Sequence, residues 1–419
     1  MSLNTAIGIG QAIDGKEAAL EASRQALDRL EKAAPVLALV FSACEYPRQD
    51  IMDGVTPLLG NTPVFEISTI LPLAGNAYLP RAVVVTLIGG SDLKAQSRWF
   101  PGYAANPQLF ANRLLPEFLD GAPSTPGLAR PDLMQTRKLT GSLYSERANP
   151  DRSAKLLFLG VDGLDGNTEQ VCAAVSGKKM AVAGYTSGGK QCPAPGYSLA
   201  GNQAGEGVLS AALLNGSFQV GSGASHGWQP VGPSYTVTST EGNRVLELDG
   251  NPAALVYSQI LGHPIHDWVT SPLNELIRLY PLGIERADTP EWVVRSPLKV
   301  DVDGSLLMNA PVRQGSAAHL LVGSVQSCLK AAQAAAQQAM TALSPSRPAL
   351  ALVFADAAWQ MLMEPEGNPE IQAIRSVIGE EVPLVGGYSF GQFARSDTAQ
   401  PLVFLNQHIE IVLLGRQSQ

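Results

Sequence analysis

The strongest constraint on what this chain can fold into is a module written three times in its 419 residues. The first copy reads VLALVF (36–41), a helical stretch, TPVFEIST (62–69) and RAVVVTLIGG (81–90). The second reads AKLLFLGVDG (154–163), a short helix, KKMAVAGYTSGG (178–189) and GEGVLSAALLNG (205–216). The third reads ALALVF (349–354), a helical stretch, VPLVGGYSFGQ (382–392) and PLVFLNQHIEIVLLG (401–415). Each copy is an apolar strand, a helix, a second strand ending at a turn, and a third strand. A β-α-β step sets its two strands parallel with a right-handed crossover, and a short onward link favours an antiparallel third. The expectation is an α/β (α+β) protein of mixed sheets, built from repeated β-α-β-β modules with flanking helices. A turn that recurs with the repeat is architecture before it is chemistry.

Composition narrows the class. Apolar residues make up 45% and charged residues only 16%, which gives a globular chain with a large core. A net charge of −8, with no run of Lys and Arg to offset it, argues against nucleic acid or an anionic membrane as partner. No apolar stretch reaches the roughly 18 residues of a membrane span. The opening MSLNTAIGIGQAIDG lacks the basic-then-apolar pattern of a signal peptide, so a cytoplasmic protein is expected. Cys44, Cys172, Cys192 and Cys328 form no C-x-x-C pair, so buried thiols are expected rather than a zinc site or covalent haem.

Asp14-Gly-Lys-Glu17 opens a helix over about 15–32, with Ala19, Ala22 and Ala26 on one face. A second helix is expected over 48–59. An Ala- and Gln-rich helix over about 325–343 precedes the third module as helix 15–32 precedes the first. The chain therefore reads as two related halves, 1–245 and 246–419. Residues 122–152 read as a long Pro- and Gly-rich loop. Hairpin tips are expected at Glu241-Gly-Asn243 and Asp303-Gly304, and Asn251-Pro252 is expected to start a helix with Asn as its cap.

Two segments match G-x-S-x-G, around Ser225 and Ser389. That pattern marks a hydrolase nucleophile only on a strand-to-helix turn. Neither serine is followed by helical sequence, and the middle module carries the related Gly184-Tyr-Thr-Ser-Gly188, so a glycine-dependent turn is the better reading. Gly8-Ile-Gly10 lacks the third glycine of a dinucleotide fingerprint, and Asp301-Val-Asp303-Gly304 lacks the downstream Glu of a calcium loop. His319 and His408 lie in strand-like runs and read as core or edge residues. His263 and His266 share a loop. His226, in Gly-Ala-Ser-His-Gly-Trp-Gln-Pro beside Trp228, sits between two strands among glycines that permit close approach. Such a histidine either braces a turn or binds a ligand, haem iron included. No paired-carboxylate, Cys–His or Ser–His–Asp set emerges from spacing, which favours binding over acid–base catalysis.

The Gly387-Tyr-Ser-Phe-Gly-Gln392 turn and the closing strand with Asn406-Gln-His408 resemble the C-terminal FIST domain. Ser225-His-Gly-Trp-Gln-Pro-Val-Gly232 and Glu241-Gly-Asn-Arg-Val-Leu-Glu-Leu-Asp-Gly-Asn-Pro-Ala253 resemble the end of the N-terminal FIST domain. The resemblance implies a non-enzymatic bacterial sensory protein that binds haem with nitric oxide, or a small metabolite such as an amino acid. It also implies regulation of a partner kinase or a cyclic-dinucleotide enzyme. The haem-binding, nitric-oxide-sensing NosP branch nominates His226 as axial ligand. The candidate ligand-binding residues are His226, Trp228, Tyr388, Ser389 and Gln392. The chain departs from the family pattern at Phe354-Ala-Asp-Ala-Ala-Trp359, where a Cys and basic residues are usual, and at Gln392, where an acid is usual. The alternatives are a hydrolase using Ser389 or Ser225 and a scaffold that binds only proteins.

Overall fold

The computed structural model describes residues 3–30, 33–119, 154–161, 168–187, 198–201, 203–285, 292–395 and 400–416. The loop expected at 122–152, Gly188 and Cys192 lie outside the described residues. Each module forms as expected and has one strand more. In the first, Pro35–Ser42 runs parallel to Val64–Ile67 and antiparallel to Val83–Gly89, which pairs in turn with Asn4–Gly10. In the second, Ala154–Val161 pairs with Ala181–Thr186 and Leu209–Gly216, and the added strand is Lys94–Phe100. In the third, Arg347–Asp356 pairs with Leu384–Ser389 and Ile409–Arg416, and the added strand is Phe218–Ser225.

The modules are joined by exchanged hairpins. After its second strand, the first module sends Pro72–Ala74 to pair with Leu384–Ser389 of the third. The third sends Gln392–Ala394 to Ala181–Thr186 of the second. The second sends Ser198–Ala200 to Val64–Ile67 of the first. The exchange closes on itself and gives the three modules a cyclic relation. Sheet pairing therefore crosses position 245 at Phe218–Ser225, Pro72–Ala74 and Gln392–Ala394, so the two halves read from sequence are not separate sheets. Residues 229–322 are inserted between the third module's added strand and its helix, Val325–Leu343, and carry an antiparallel sheet with its own core.

Strand alternation explains the apolar runs. Leu37, Leu39 and Phe41, Leu156 and Phe158, and Leu350, Leu352 and Phe354 all face one shared core. Phe41 and Phe354 approach there to 6.3 Å between ring centroids. The alternate residues Ala38 and Val40, Leu157 and Leu159, and Ala351 and Val353 face each module's own helices. Both faces are covered, so the sequence shows apolar runs rather than apolar–polar alternation. Gly160 holds the place of Phe41 and Phe354 because Ile67 fills that space: a Cβ there would stand 1.9 Å from Ile67 Cδ1.

The helices are set as the sequence indicated, with Gly15–Arg29 capped by the Asp14 side chain, which accepts the Glu17 N–H at 2.9 Å. Arg48–Leu59 and Val325–Leu343 also form. The Asn251 cap does not: Asn251–Pro252 makes a short strand, and Ala253–Leu261 starts with Pro252 at its cap position and no side-chain cap. Glu241 and Arg244 flank the expected hairpin tip. The glycine pairs have a packing role. A Cβ on Gly8 would lie 1.9 Å from the Ala22 carbonyl oxygen, and one on Gly221 would lie 2.2 Å from that of Ala339. Gly10 and Gly223 meet Ala18 and Ala335 in the same way. Alanine-faced helices thus lie directly on glycine-bearing strands, which accounts for Gly8-Ile-Gly10 and for Gly223 of the first G-x-S-x-G match. Gly8→Ala and Gly221→Ala are each expected to lower stability in denaturant titrations by about 1–3 kcal/mol, the usual cost of overpacking. Gly177→Ala, where a Cβ meets nothing within 4 Å, should be near neutral. Equal effects at all three positions would remove the packing argument.

Candidate functional site

His226 follows strand Phe218–Ser225 and stands half-buried in the wall of a cleft of about 560 Å³. The other walls come from Ser225, Gly227 and Gln229, from the segment 322–324, and from the first turns of helix Val325–Leu343, including Ser327 and Lys330. The sequence fixes this loop locally: a Cβ on Gly227 would lie 2.5 Å from the Cys328 nitrogen, and one on Gly323 would lie 2.2 Å from the Trp228 ring. The cleft is of the size that binds small molecules.

Behind the cleft lies a buried relay. Trp228 is 3% exposed, and its indole N–H donates to the Gln407 carbonyl at 2.9 Å. The Trp359 indole N–H donates to the same oxygen, also at 2.9 Å. Gln407 stands at φ +59°, a left-handed conformation costly for a side-chain-bearing residue, and is held there by its neighbours. Its own N–H donates to Asp356 Oδ2 at 2.9 Å, and its side-chain amide donates to the Arg278 carbonyl and to Ser296 Oγ. Asp356 also caps helix Ala357–Met363 by accepting the Ala358 N–H at 3.0 Å. Burial pushes the Asp356 carboxyl up to about 6, against the two N–H donors that favour its charged form.

Next to Gln407, His408 meets His226 edge to face, ring centroids 4.8 Å apart. Burial first and the facing His226 second hold His408 down to about 3, so it is neutral at pH 7. Its Nδ1 lies 2.7 Å from the Asn406 carbonyl, which can only accept, so Nδ1 carries the proton. His226 has the opposite tautomer: the Trp228 backbone N–H donates to its Nδ1 at 3.3 Å, which leaves the proton on Nε2. A neutral imidazole accepting at Nδ1 has no lone pair at Nε2 to give to iron. Iron at Nε2 would require His226 to give up the Trp228 N–H.

Four of the five nominated residues fall into two groups, and the fifth, Tyr388, stands apart. His226 and Trp228 belong to the cleft and its relay. Ser389 and Gln392 lie together within the third module: the Gln392 amide donates to Ser389 Oγ at 3.1 Å, and Ser389 pairs with Asp356 across the parallel ladder. The two groups thus meet through Asp356 and Gln407. Tyr388 turns to the other face of its strand, where it stacks on Tyr78 at 4.1 Å and donates to the buried Glu370 carboxylate. It holds the first module's hairpin to the third and does not line the cleft.

The serine turns are structural in two modules. Ladder register makes Thr69, Ser187 and Ser389 equivalent, counted from the Leu39–Phe65, Phe158–Ala183 and Leu352–Val385 pairs. Thr69 Oγ1 donates to the Ser42 carbonyl at 3.3 Å, and Ser389 Oγ donates to the equivalent Ala355 carbonyl at 3.4 Å. Strand lies on both sides of Ser389 (Leu384–Ser389, Gln392–Ala394) and of Ser225 (Phe218–Ser225, Gln229–Glu241). The strand-to-helix elbow of an α/β-hydrolase nucleophile is absent at both. Asp301 and Asp303 each pair with Arg244 at 3.0 Å, as a hairpin does and a calcium loop does not. No group of three or more His, Cys, Asp or Glu fit to hold a metal occurs among the described residues, and His266 pairs with Asp267.

Sequence reasoning missed Asp356, Trp359, Gln407 and the role of His408. The signal available was Asp356 standing just before Ala-Ala-Trp, the position of a helix cap.

The described residues thus form a repeat-built α/β protein with a ligand-sized cleft backed by a buried polar relay. The chain belongs to the FIST family: the FIST N domain matches residues 36–251 and the FIST C domain residues 253–395. FIST domains are sensory domains of signal transduction that bind small ligands. No curated protein matches the chain. Among solved structures, cyanuric acid hydrolase from A. caulinodans matches at 10% identity and TM-score 0.24, over 52% of this chain and 71% of its own. PurLQS from Thermotoga maritima matches at 10% and 0.24, over 99% and 73%. Likeness so slight carries no argument. No helix among the described residues is long and apolar enough to cross a membrane.

The two shifted groups make opposite contributions to pH dependence. His408 is depressed from an unfolded value near 6.5, so its stabilisation is lost as pH falls from about 6.5 toward 3. Asp356 is raised from about 3.9, so stability falls as pH rises from about 4 to 6. Between pH 4 and 6 the two slopes, each about 1.4 kcal/mol per pH unit, offset one another. Relative to wild type over that window, Asp356→Asn is expected to make unfolding free energy climb with pH, and His408→Gln to make it decline. Parallel curves for all three proteins would refute the assignment.

Proposed function

We propose that this protein is a non-enzymatic sensor whose small ligand enters the His226 cleft, and that Trp228 reports occupancy to the third module through Gln407. A partner kinase or cyclic-dinucleotide enzyme then reads the change. The observation that carries this reading is the shared carbonyl. Trp228 stands two residues from a cleft-lining histidine, and its hydrogen bond ends on the same oxygen as that of Trp359, in the opposite half of the sequence. A ligand that moves the 226–228 loop must strain or release a contact on which Trp359 also depends. A ligand can shift such an equilibrium only by binding one arrangement better than the other. In favour of this reading over acid–base chemistry, the histidines of the pair are tied by tautomer to backbone partners.

Haem through His226 is the poorer occupant, because it requires the ring to turn over and give up the Trp228 N–H. The account expects no Soret band that depends on His226 when the purified protein is supplied with haem; a band abolished in His226→Ala would restore the haem reading. For the relay, the test is the indole N–H signals of the nitrogen-15-labelled chain, assigned with Trp228→Phe and Trp359→Phe. Titration with a compound shown to stabilise the protein should move both signals with one binding constant. Movement of neither would end the proposal, and movement of Trp228 alone would end the relay.

A further inference from the structure

Building on the reading of the His226 cleft as the ligand site, we propose that residues 229–322 swing as one domain on the two crossings that line this cleft, so that an occupant sets the domain's angle to the three modules. The first support is connectivity. The chain leaves the third module at 226–228 and returns at 323–324, and Gln229 and Val322 are the ladder partners that close the domain between them. His226, Gly227, Gly323 and Ser324 of the crossings all line the cleft, together with Gln229 and Val322. The rest of the wall is Ser225 and the first turns of helix Val325–Leu343, on the side of the third module. Both crossings are short and each carries a glycine, as suits a hinge. They also touch one another, since the Trp228 ring lies against Gly323. A molecule in the cleft therefore reaches both crossings and the helix at once.

The second support is the way the domain is held. Among the described residues no strand of its sheet pairs with a module strand, and Tyr257, Trp268 and Ile277 give it a core of its own. A polar latch ties it to residues 390–407. Asn309 Nδ2 donates to the Phe390 carbonyl, Arg295 to the Phe404 carbonyl at 3.1 Å, and the Ser296 N–H to Asn406 Oδ1 at 3.4 Å. The Gln407 side-chain amide donates to the Arg278 carbonyl and to Ser296 Oγ. The apolar contact is small: Val294 and Leu321 cluster with Trp228 and Ala358, and Ala310 meets the core of the second module. Domains joined by a polar interface of this kind move relative to one another, where a large apolar one would fix them. Gln407 belongs to the latch through its side chain and to the relay through its backbone, so angle and occupancy are linked, and such linkage runs both ways.

The test measures the distance between two spin labels on the full-length chain by double electron–electron resonance. One label is placed at Val302→Cys, on the domain's exposed hairpin tip, and the other at Gln337→Cys, on the exposed side of helix Val325–Leu343. Cys192 is replaced by serine. Cys44, Cys172 and Cys328 are buried, and burial pushes the thiols of the last two up to about 12, so they stay unlabelled. Asn309→Ala, which removes one bond of the latch, should raise the population of a second, displaced distance about fivefold, the weight of one hydrogen bond. Val294→Ala added to it should raise that population further. In the nitrogen-15-labelled chain, Asn309→Ala should also move the Gly227 and Gly323 amides, although Asn309 does not line the cleft. A single unchanged distance in both variants overturns the swing. A displaced population with Gly227 and Gly323 unmoved overturns the tie between angle and cleft. Either failure leaves the cleft standing as a ligand site. That reading falls on a different result: a stabilising compound whose affinity is the same in His226→Ala.

Discussion

The cyclic exchange of hairpins is the constraint on which the rest of this structure depends. A three-residue strand is too short to hold two units together by its own hydrogen bonds. Here each one leaves its module at the end of the second strand and completes the sheet of another, so no module has a full sheet alone. The three inner faces then close on one core, where Phe41 and Phe354 meet and Gly160 yields its place to Ile67. Separating any module would expose that face and break two exchanged pairings. The two halves match the FIST N domain (36–251) and the FIST C domain (253–395), yet sheet pairing runs across the division between them.

The same arrangement positions the relay. Ser225 and Ile409 are ladder partners, so the loop that follows one strand and the turn that precedes the other emerge side by side. His226 meets His408 there, and Trp228 reaches the Gln407 carbonyl. The left-handed Gln407 directs its carbonyl to two indoles and its N–H to Asp356. Each hydrogen bond contributes about 0.5–1.5 kcal/mol, but leaving a buried partner without one costs more. A site with two tryptophans on one oxygen and a buried carboxyl on the adjoining amide responds as a unit.

Much of the fold was legible because both faces of the first strand of each module are largely buried, which writes unmistakable apolar runs such as VLALVF and ALALVF. Asp14, the helix at 48–59 and the hairpin tip at Gly242 were legible from local chemistry. Phe218–Ser225 read as a strand before His226, but its place in the third module did not show. Asn4–Gly10 was not legible, because it carries glycines where a strand former would be expected, the helix backbone lying against it. The exchange was invisible because strands of two or three residues leave no periodicity. At the site, His226 and Trp228 announced themselves through flanking glycines. Tyr388 shared a motif with Ser389 but faces the other way, as neighbours on a strand must. Gln407 gave no sign of its role, which rests on a left-handed backbone that a glutamine does not announce.

Hydrogen exchange of the full chain tests the central claim, that the three modules form one cooperative body. The account predicts that the amides of 37–41, 156–160 and 350–354 become exchangeable in a single opening, with a common free energy equal to that of global unfolding. Strands 350–354 opening at a lower free energy while 37–41 and 156–160 stay protected would contradict it, and would restore two independent halves.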